Sequence, residues 1–208
     1  MQGLIAGVDE AGRGPLAGPV VAAAAVLHSG QQLAGVRDSK KLSAARREEL
    51  AEVIQKESTD WAVGVATVEE IDELNILGAT MLAMRRALAA LKCQPDFVRI
   101  DGNRCPDLRD IYQGPMEALV GGDDLCLAIG AASILAKVTR DKMMDELHLD
   151  FPEYGFDRHR GYPTAFHRDA LRKLGPTVVH RQSFRPVREA RAIHHNNSTA
   201  RSAAGSNS

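Results

Sequence analysis

Apolar residues occur along this chain in short runs and in longer amphipathic segments, and the two patterns predict strands and helices. Apolar runs over residues 3–9 and 19–27, joined by a loop rich in glycine and proline, predict two neighbouring strands. Alternation over 61–67 predicts a third strand, residues 97–101 a fourth, and a weaker run over 125–129 a fifth. All of the predicted strands lie before residue 130.

Apolar residues at helical spacing predict helices over residues 43–57, 69–91, 131–149 and 164–174. Ser43 and Thr164 suit the N-cap positions of the first and last of these helices. Because strands alternate with helices and the chain then becomes mainly helical, we expect one α/β domain over residues 1–190 with a helical C-terminal extension. Residues 191–208 are rich in Ser, Asn and Ala, which predicts a disordered tail.

The composition is that of a soluble globular protein, with 208 residues of which 44% are hydrophobic and 25% charged. No apolar run approaches the roughly 20 residues that span a bilayer, and the N-terminus lacks the pattern of a signal peptide. Three widely spaced cysteines, Cys93, Cys105 and Cys126, argue against a disulfide framework and against a zinc site. We therefore expect a cytoplasmic protein that makes no membrane contact.

The net charge of −1 conceals an uneven distribution of charge along the chain. Residues 158–191 contain nine Lys and Arg residues against two acids, whereas the preceding part of the chain is acidic. A basic segment on an acidic body can be the binding surface for a polyanion, or it can be a solvated helix surface. Tyr162 lies in this segment, where it can stack on a sugar or base, or pack with its hydroxyl in solvent.

Several acids follow predicted strands, as the residues of an active site in an α/β sheet do. Asp9 and Glu10 end the first strand, Asp101 ends the fourth, and Asp123 and Asp124 lie in a later loop. Carboxylates that converge raise one another's pKa, and a divalent cation removes that conflict. Oxygen ligands alone suit Mg²⁺ or Mn²⁺. Taken singly, each of these acids is better explained as a turn former or a helix cap.

Adjacent residues of a regular strand point to opposite faces of a sheet, which places a condition on Asp9 and Glu10. Both can face one metal centre only if the strand ends or bulges at that point. Gly12 and Gly14 follow directly and would permit such a break. We therefore expect the first strand to be interrupted between the two acids or just after them.

In the segment Gly12-Arg13-Gly14, the two glycines have no Cβ atom, so their main-chain groups can approach a ligand closely. Main-chain donors and acceptors can recognise a ribose 2′-hydroxyl, which distinguishes RNA from DNA, although three such residues can equally form a tight turn. Before the first helix, a set of hydroxyl and lysine side chains suits phosphate binding or simple helix capping. These side chains are Ser39, Lys40, Lys41 and Ser43.

Taken together, these segments closely resemble the bacterial ribonuclease HII family, a type 2 ribonuclease H. The matching stretches are Ile-Ala-Gly-Val-Asp-Glu-Ala-Gly-Arg-Gly-Pro over 5–15, Arg-Asp-Ser-Lys-Lys-Leu over 37–42, Ile-Asp-Gly over 100–102, Ala-Ala-Ser-Ile-Leu-Ala-Lys-Val-Thr-Arg-Asp over 131–141 and His-Arg-Gly-Tyr over 159–162. The resemblance implies a ribonuclease H-like fold, a mixed central sheet flanked by helices. It also implies four metal-binding catalytic acids, Asp9, Glu10, Asp101 and Asp123, with Asp124 as the alternative fourth acid.

The resemblance also assigns residues to the substrate. It implies that Gly12, Arg13 and Gly14 hold the 2′-hydroxyl of a ribonucleotide and that Tyr162 stacks on the deoxyribose that follows. Ser39, Lys40, Lys41 and Ser43 fall in the loop that contacts phosphates in this family.

The activity implied by the resemblance is two-metal hydrolysis, with Mn²⁺ or Mg²⁺, of the phosphodiester on the 5′ side of a ribonucleotide. The substrates would be RNA–DNA hybrids and single ribonucleotides in duplex DNA, and the enzyme is expected to be a monomer without a protein partner. Two alternatives remain, another two-metal nuclease of the same fold and a hybrid-binding module without catalysis. Ribonucleotide dependence separates the first from our interpretation, and loss of Asp9 separates the second.

Overall fold

The structure is a computed structural model that describes residues 3–36 and 42–204, with residues 196–204 described by their backbone alone. A five-stranded sheet with the order β3-β2-β1-β4-β5 forms its centre. The strands are β1 (Leu4–Ala11), β2 (Val20–His28), β3 (Asp60–Ala66), β4 (Phe97–Asp101) and β5 (Met116–Leu119). β2 is antiparallel to both of its neighbours, β1 and β3, whereas β4 is parallel to both β1 and β5. The sheet is therefore mixed, with β1 at its centre.

Helices cover both faces of the sheet and form the C-terminal part of the chain. They are α1 (Ala44–Glu57), α2 (Val68–Ala89), α3 (Gly122–Leu125), α4 (Leu127–Asp150), α5 (Phe156–His159), α6 (Ala165–Leu174) and α7 (Arg185–Ala204). Ser43 and Thr164 accept hydrogen bonds from the first-turn amides of α1 and α6, so both predicted N-caps are confirmed.

Small side chains in the central strands allow the helices to pack closely on the sheet. Along β2, Ala22 and Ala24 face the layer formed by α2, while Ala23 and Ala25 face α1 and α4. At Gly7 of β1, a Cβ atom would lie 2.0 Å from the carbonyl carbon of Ala128, which leaves no room for a side chain. This close approach places α4 directly against β1 and its carboxyl end.

Besides the two layers of helices that pack on the sheet, a separate apolar cluster joins the C-terminal helices to the loop between β1 and β2. Leu16 and Ala17 of that loop pack with Tyr154, Phe156 and Leu171. The backbone amide of Leu16 donates to the carbonyl of Gly161, and the amide of Arg181 donates to the carbonyl of Leu16. The helical extension therefore holds the β1–β2 loop in place rather than forming a separate unit.

Three regions differ from the sequence-based expectation. The strand predicted over residues 125–129 is absent: Leu125 ends α3, Cys126 joins the two helices, and residues 127–129 begin α4 against β1. A short apolar run is equally typical of a buried helix. The fifth strand is instead Met116–Leu119, whose helix-forming residues adopt a strand because they pair with β4. The backbone of residues 191–204 continues α7, where a disordered tail is predicted. Elongation of a helix that is already packed costs little free energy.

The three cysteines, Cys93, Cys105 and Cys126, are free thiols, as the sequence predicts. Within the described ranges, no helix has the length and apolar character that crossing a membrane would require.

Two buried histidines support the segment that carries Tyr162. His180 Nδ1 accepts a hydrogen bond from the amide of Thr177 (3.0 Å), so its Nε2 carries the proton and donates to His167 Nε2 (3.1 Å). His167 Nδ1 then donates to the Tyr162 carbonyl (3.1 Å). Burial lowers the pKa of His167 to about 4, and burial together with the neighbouring His167 lowers the pKa of His180 to about 3. Both rings are therefore neutral near pH 7.

We expect this pair to weaken the fold on acidification. Below pH 6.5 the histidines of the unfolded chain bind protons while the native rings do not, so the free energy of unfolding falls with pH down to about 4. Relative to a His180→Gln variant, the wild type should lose on the order of 1.4 kcal/mol more per pH unit in this range. Urea unfolding at pH 6.5, 5.5 and 4.5 measures it. Replacing the exposed His28 with Gln is the control, and equal slopes for wild type and His180→Gln would contradict the assignment.

Candidate active site

The first two acids lie at the carboxyl end of β1, which is not interrupted there. β1 stays in register with β2 from Leu4 to Ala11, so the strand is not broken between Asp9 and Glu10 but ends just after them, at Ala11, which is the other position expected. Asp9 is buried (6% exposed), and its Oδ1 accepts the backbone amide of Glu10 at 2.7 Å. Glu10 is the last residue but one of the strand, and its longer side chain reaches the cleft that α4 lines. The longer side chain of Glu10, at the end of the strand, therefore lets both acids face one site without a bulge in β1.

The carboxylates of Asp9, Glu10 and Asp101 form one electrostatic group. Burial, and then the charge of Glu10, raise the pKa of Asp9 to about 8, while a side-chain hydrogen bond with Ser133 opposes that rise. Burial also raises the pKa of Glu10, although Arg13 lies 3.3 Å from its Oε1 and favours the charged form. The charge of Asp101 adds to the rise at both acids. If all three side chains were ionised, they would therefore carry more negative charge than the protein around them compensates.

Asp101 and Asp123 are brought together by the packing of α3 on the end of β4. The amide of Gly122 donates to Asp101 Oδ1 at 2.7 Å, and Asp123 is the next residue. Asp123 is half-buried whereas Asp124 is exposed. Among the described residues, no three acidic, histidine or cysteine side chains already form a metal-ligand group. The acids thus share one edge of the sheet without a preformed coordination shell.

A cleft of about 380 Å³ opens beside Glu10 and contains most of the predicted substrate residues that the structure describes. Gly12, Arg13 and Gly14 line it, and Tyr162, 45% exposed, lies beside Gly14. A Cβ atom on Gly14 would lie 3.5 Å from Tyr162 Cε1. The structure therefore brings together two motifs that lie about 150 residues apart in the sequence.

Three side chains of the cleft were not singled out from the sequence: Arg47, Ser133 and Lys137. Ser133 and Lys137 are four residues apart on α4, which places them on one face of that helix. This spacing is the signal that the sequence offers for the two side chains, and the apolar face of the helix does not include it. Lys137 Nζ lies 2.7 Å from Asp141 Oδ1, so this ion pair partly neutralises the positive charge that Lys137 brings to the cleft.

Of the predicted phosphate-binding residues, Ser39, Lys40 and Lys41 lie outside the described residues. Ser43 is exposed and its hydroxyl accepts the amide of Arg46 at 3.3 Å, which is a capping interaction. The basic segment over residues 158–191 is divided. The side chains of Arg158, Arg172 and Arg185 are between 64% and 82% exposed, whereas Arg181 is fully buried and belongs to no surface.

Solved structures define the class of fold. The chain matches ribonuclease H2 from Pyrococcus horikoshii OT3 with a TM-score of 0.78 at 29% identity, over 91% of this chain and 97% of that one. RNase HII from Archaeoglobus fulgidus, solved in complex with PCNA, matches with a TM-score of 0.72 at 31% identity, over 86% and 92% of the two chains. Bst-RNase HIII, solved with Mn²⁺, matches with a TM-score of 0.70 at 22% identity, over 92% and 70%. The chain has the ribonuclease H-like fold, and the predicted fold class is confirmed.

Sequence comparison identifies the family within that class. The family model for Ribonuclease HII matches residues 6–187. Ribonuclease HII from Dechloromonas aromatica (strain RCB) is 58% identical over 185 residues, which are 89% of this chain and 92% of that protein. Ribonuclease HII from Burkholderia thailandensis is 58% identical over 187 residues, 90% and 86% of the two chains. The chain belongs to the ribonuclease HII family, and it is a nuclease of the metal-dependent type 2 ribonucleases H that acts on RNA.

Proposed function

We propose that the chain hydrolyses the phosphodiester on the 5′ side of a ribonucleotide and leaves 5′-phosphate and 3′-hydroxyl ends. Its substrates would be RNA–DNA hybrids and single ribonucleotides embedded in duplex DNA, which gives it a role in removing ribonucleotides from DNA. The observation that carries this proposal is the cleft itself. It joins Glu10, at the end of β1 next to Asp9, to the Gly12–Gly14 loop and Tyr162.

Asp9, Glu10, Asp101 and Asp123 would hold the divalent cations, Mn²⁺ or Mg²⁺. The donor set fits, because it consists of oxygen ligands whose mutual repulsion the protein leaves uncompensated. When bound, two such ions activate a water and stabilise the leaving oxygen. The protein orients Asp9 for this role through the Glu10 amide and Ser133, and it moderates the charge of Glu10 through Arg13.

The remaining cleft residues would select and hold the nucleic acid. Gly12, Arg13 and Gly14 would contact the ribose 2′-hydroxyl, and the exposed ring of Tyr162 would stack on the next deoxyribose. Phosphate contacts are assigned to Ser39, Lys40, Lys41 and Ser43, to which the cleft adds Arg47 and Lys137. We place the enzyme in the cytoplasm, and its free cysteines support this compartment. We also propose that it is a monomer that acts without a protein partner.

The deciding experiment uses a labelled DNA duplex that carries one ribonucleotide. With Mn²⁺ or Mg²⁺ present, the purified chain should cut once, on the 5′ side of the ribonucleotide, and the fragment ends identify the bond. The same duplex without the ribonucleotide is the control. Equal cleavage of both duplexes would show a general two-metal nuclease and would reject the proposed substrate.

A Gly14→Ala substitution is expected to lower the rate of cleavage at a single ribonucleotide by about tenfold or more. The added methyl group has room beside Tyr162, at 3.5 Å, so the fold should tolerate it, but the group stands on the cleft side of the loop. Gly12→Ala is a poorer test, because Gly12 has φ +100° and its Cβ would lie 2.1 Å from Arg140 Nε. Gly3→Ala, at the opposite end of β1, is the matched control. An unchanged rate for Gly14→Ala would mean that the loop is only a turn.

The choice of the fourth acid can be tested with a matched pair of neighbours. Asp123→Asn should reduce cleavage by at least about a hundredfold, whereas Asp124→Asn should leave it within about threefold. The physical reason is burial: Asp123 is half-buried beside the Asp101–Gly122 contact, while Asp124 is exposed. Steady-state rates on the single-ribonucleotide duplex measure both variants, and the reverse ranking would assign the role to Asp124.

A further inference from the structure

Two arginines are fully buried beneath the loop that joins β1 to β2. Arg140, on α4, is 1% exposed, and Arg181, just before α7, is 0% exposed. Within the described part of the chain, both guanidinium groups are satisfied by main-chain carbonyls rather than by an ion pair with a carboxylate. Burial lowers the pKa of Arg140 to about 10 and that of Arg181 to about 9, so both remain cationic at neutral pH. Burying two charges in this way is unfavourable, so other interactions or a functional role must offset its cost in free energy.

Each guanidinium holds several carbonyl groups of the loop. Arg181 donates to the carbonyls of Gly12 (2.6 Å), Arg13 (3.0 Å), Gly18 (3.0 Å) and Pro19 (3.2 Å). Arg140 donates to the carbonyls of Pro19 (3.0 Å), Ala17 (3.2 Å) and Arg160 (3.0 Å), the last of which lies two residues before Tyr162. The two guanidinium groups therefore fix the β1–β2 loop and the backbone next to Tyr162, which both contribute residues to the cleft.

Fixing these carbonyls also fixes the amides on the other side of each peptide. All peptide bonds of the described chain are trans, and in a trans peptide the carbonyl of one residue points opposite to the N–H of the next. Because the carbonyls of Gly12 and Arg13 point inward to Arg181, the N–H groups of Arg13 and Gly14 point outward. Both of these residues are exposed and line the cleft. Two successive outward donors make a concave site for an oxygen atom of a ligand.

The position of Arg181 is itself fixed by α2. Asp72 accepts the backbone amides of Gln182 and Ser183, each at 2.8 Å, and the Ser183 hydroxyl at 2.6 Å. The absence of a side chain at Gly12 belongs to the same arrangement, because Arg140 occupies the place of its Cβ. The contacts around the guanidinium groups thus extend from α2 and α4 to the cleft.

We propose that Arg181, supported by Arg140, is a positioning residue for ribonucleotide recognition: it aims the Arg13 and Gly14 amides at the ribose oxygen of the substrate. This inference rests on the proposed function, because it assumes that the loop reads a ribose. It assigns no contact with the substrate to either arginine. A lysine at position 181 keeps the charge but cannot hold the Gly12 and Arg13 carbonyls in one planar fork.

The test measures binding in the Asp9→Asn background, with fluorescent duplexes that either carry one ribonucleotide or are all DNA. The parent is expected to prefer the ribonucleotide duplex, and Arg181→Lys is expected to reduce that preference by about tenfold while its affinity for all-DNA duplex stays within about twofold. Arg185→Lys, on an exposed side chain of the same segment, should keep the full preference. Circular dichroism establishes that each variant is folded.

The outcomes separate this inference from the proposed function. If the parent binds both duplexes equally, the proposed function fails. If the parent discriminates and a folded Arg181→Lys variant discriminates equally well, the positioning role is wrong. A measurement on the parent alone covers a variant that does not fold: the ¹⁵N-amide signals of Arg13 and Gly14 should shift with the ribonucleotide duplex and not with all-DNA duplex. Equal responses of these two amides to both duplexes would also overturn the inference.

Discussion

Replacing Asp9 with asparagine is expected to reduce cleavage by at least about a thousandfold while the protein folds and binds its substrate. Asparagine keeps an oxygen that can accept the Glu10 amide, now bound at 2.7 Å, so the local structure should persist. What it removes is a buried carboxyl group next to Glu10 and Asp101, whose charged form a bound cation would stabilise. Loss of that group would remove a cation ligand and leave the Gly12–Gly14 loop and Tyr162 unchanged.

Single-turnover cleavage and duplex binding, measured on the same preparation, provide the comparison. Asp107→Asn is the matched control, because it makes the same chemical change at an exposed acid that is paired with Arg109. Retained turnover in Asp9→Asn would contradict the assignment of Asp9 to the metal site. It would also favour a different catalytic centre over the one at the end of β1.

Removing divalent cations is expected to abolish cleavage, and adding Mn²⁺ or Mg²⁺ should restore it. The same cations should raise the melting temperature of the wild type, because they compensate the repulsion among Asp9, Glu10 and Asp101. At a cation concentration one hundred times its dissociation constant, binding adds about 2.7 kcal/mol, which for a chain of this size is roughly 5–10 °C.

The control for the thermal measurement is Asp9→Asn. Without a cation this variant should melt at or above the wild-type temperature, because burial raises the pKa of the Asp9 carboxyl to about 8, which weakens the fold near pH 7, and a neutral amide does not carry that cost. Added Mn²⁺ should shift the melting temperature of the variant far less. Cleavage that survives exhaustive chelation would contradict the cation requirement. An equal Mn²⁺ shift in wild type and variant would place the bound ion away from Asp9.

Much of the fold followed from local patterns. The helix that begins after Ser43, the strand that ends at Asp101 and the helix capped by Thr164 are all confirmed, since caps and apolar spacing act within a few residues. The errors lie where tertiary contacts override local preference. Met116–Leu119 becomes a strand only because β4 offers it an edge, and residues 127–129 become helical because they pack on β1.

The sequence by itself determined the family, the acids at the strand ends and the chemistry those acids suit, because a motif such as Asp-Glu-Ala-Gly-Arg-Gly carries its residue types wherever the chain folds. Only the tertiary structure decided how Glu10 joins Asp9 without a break in β1, and that Arg181 supports the loop from within. Both depend on side-chain reach and on burial. These arise when segments distant in sequence pack together, and no single segment contains them.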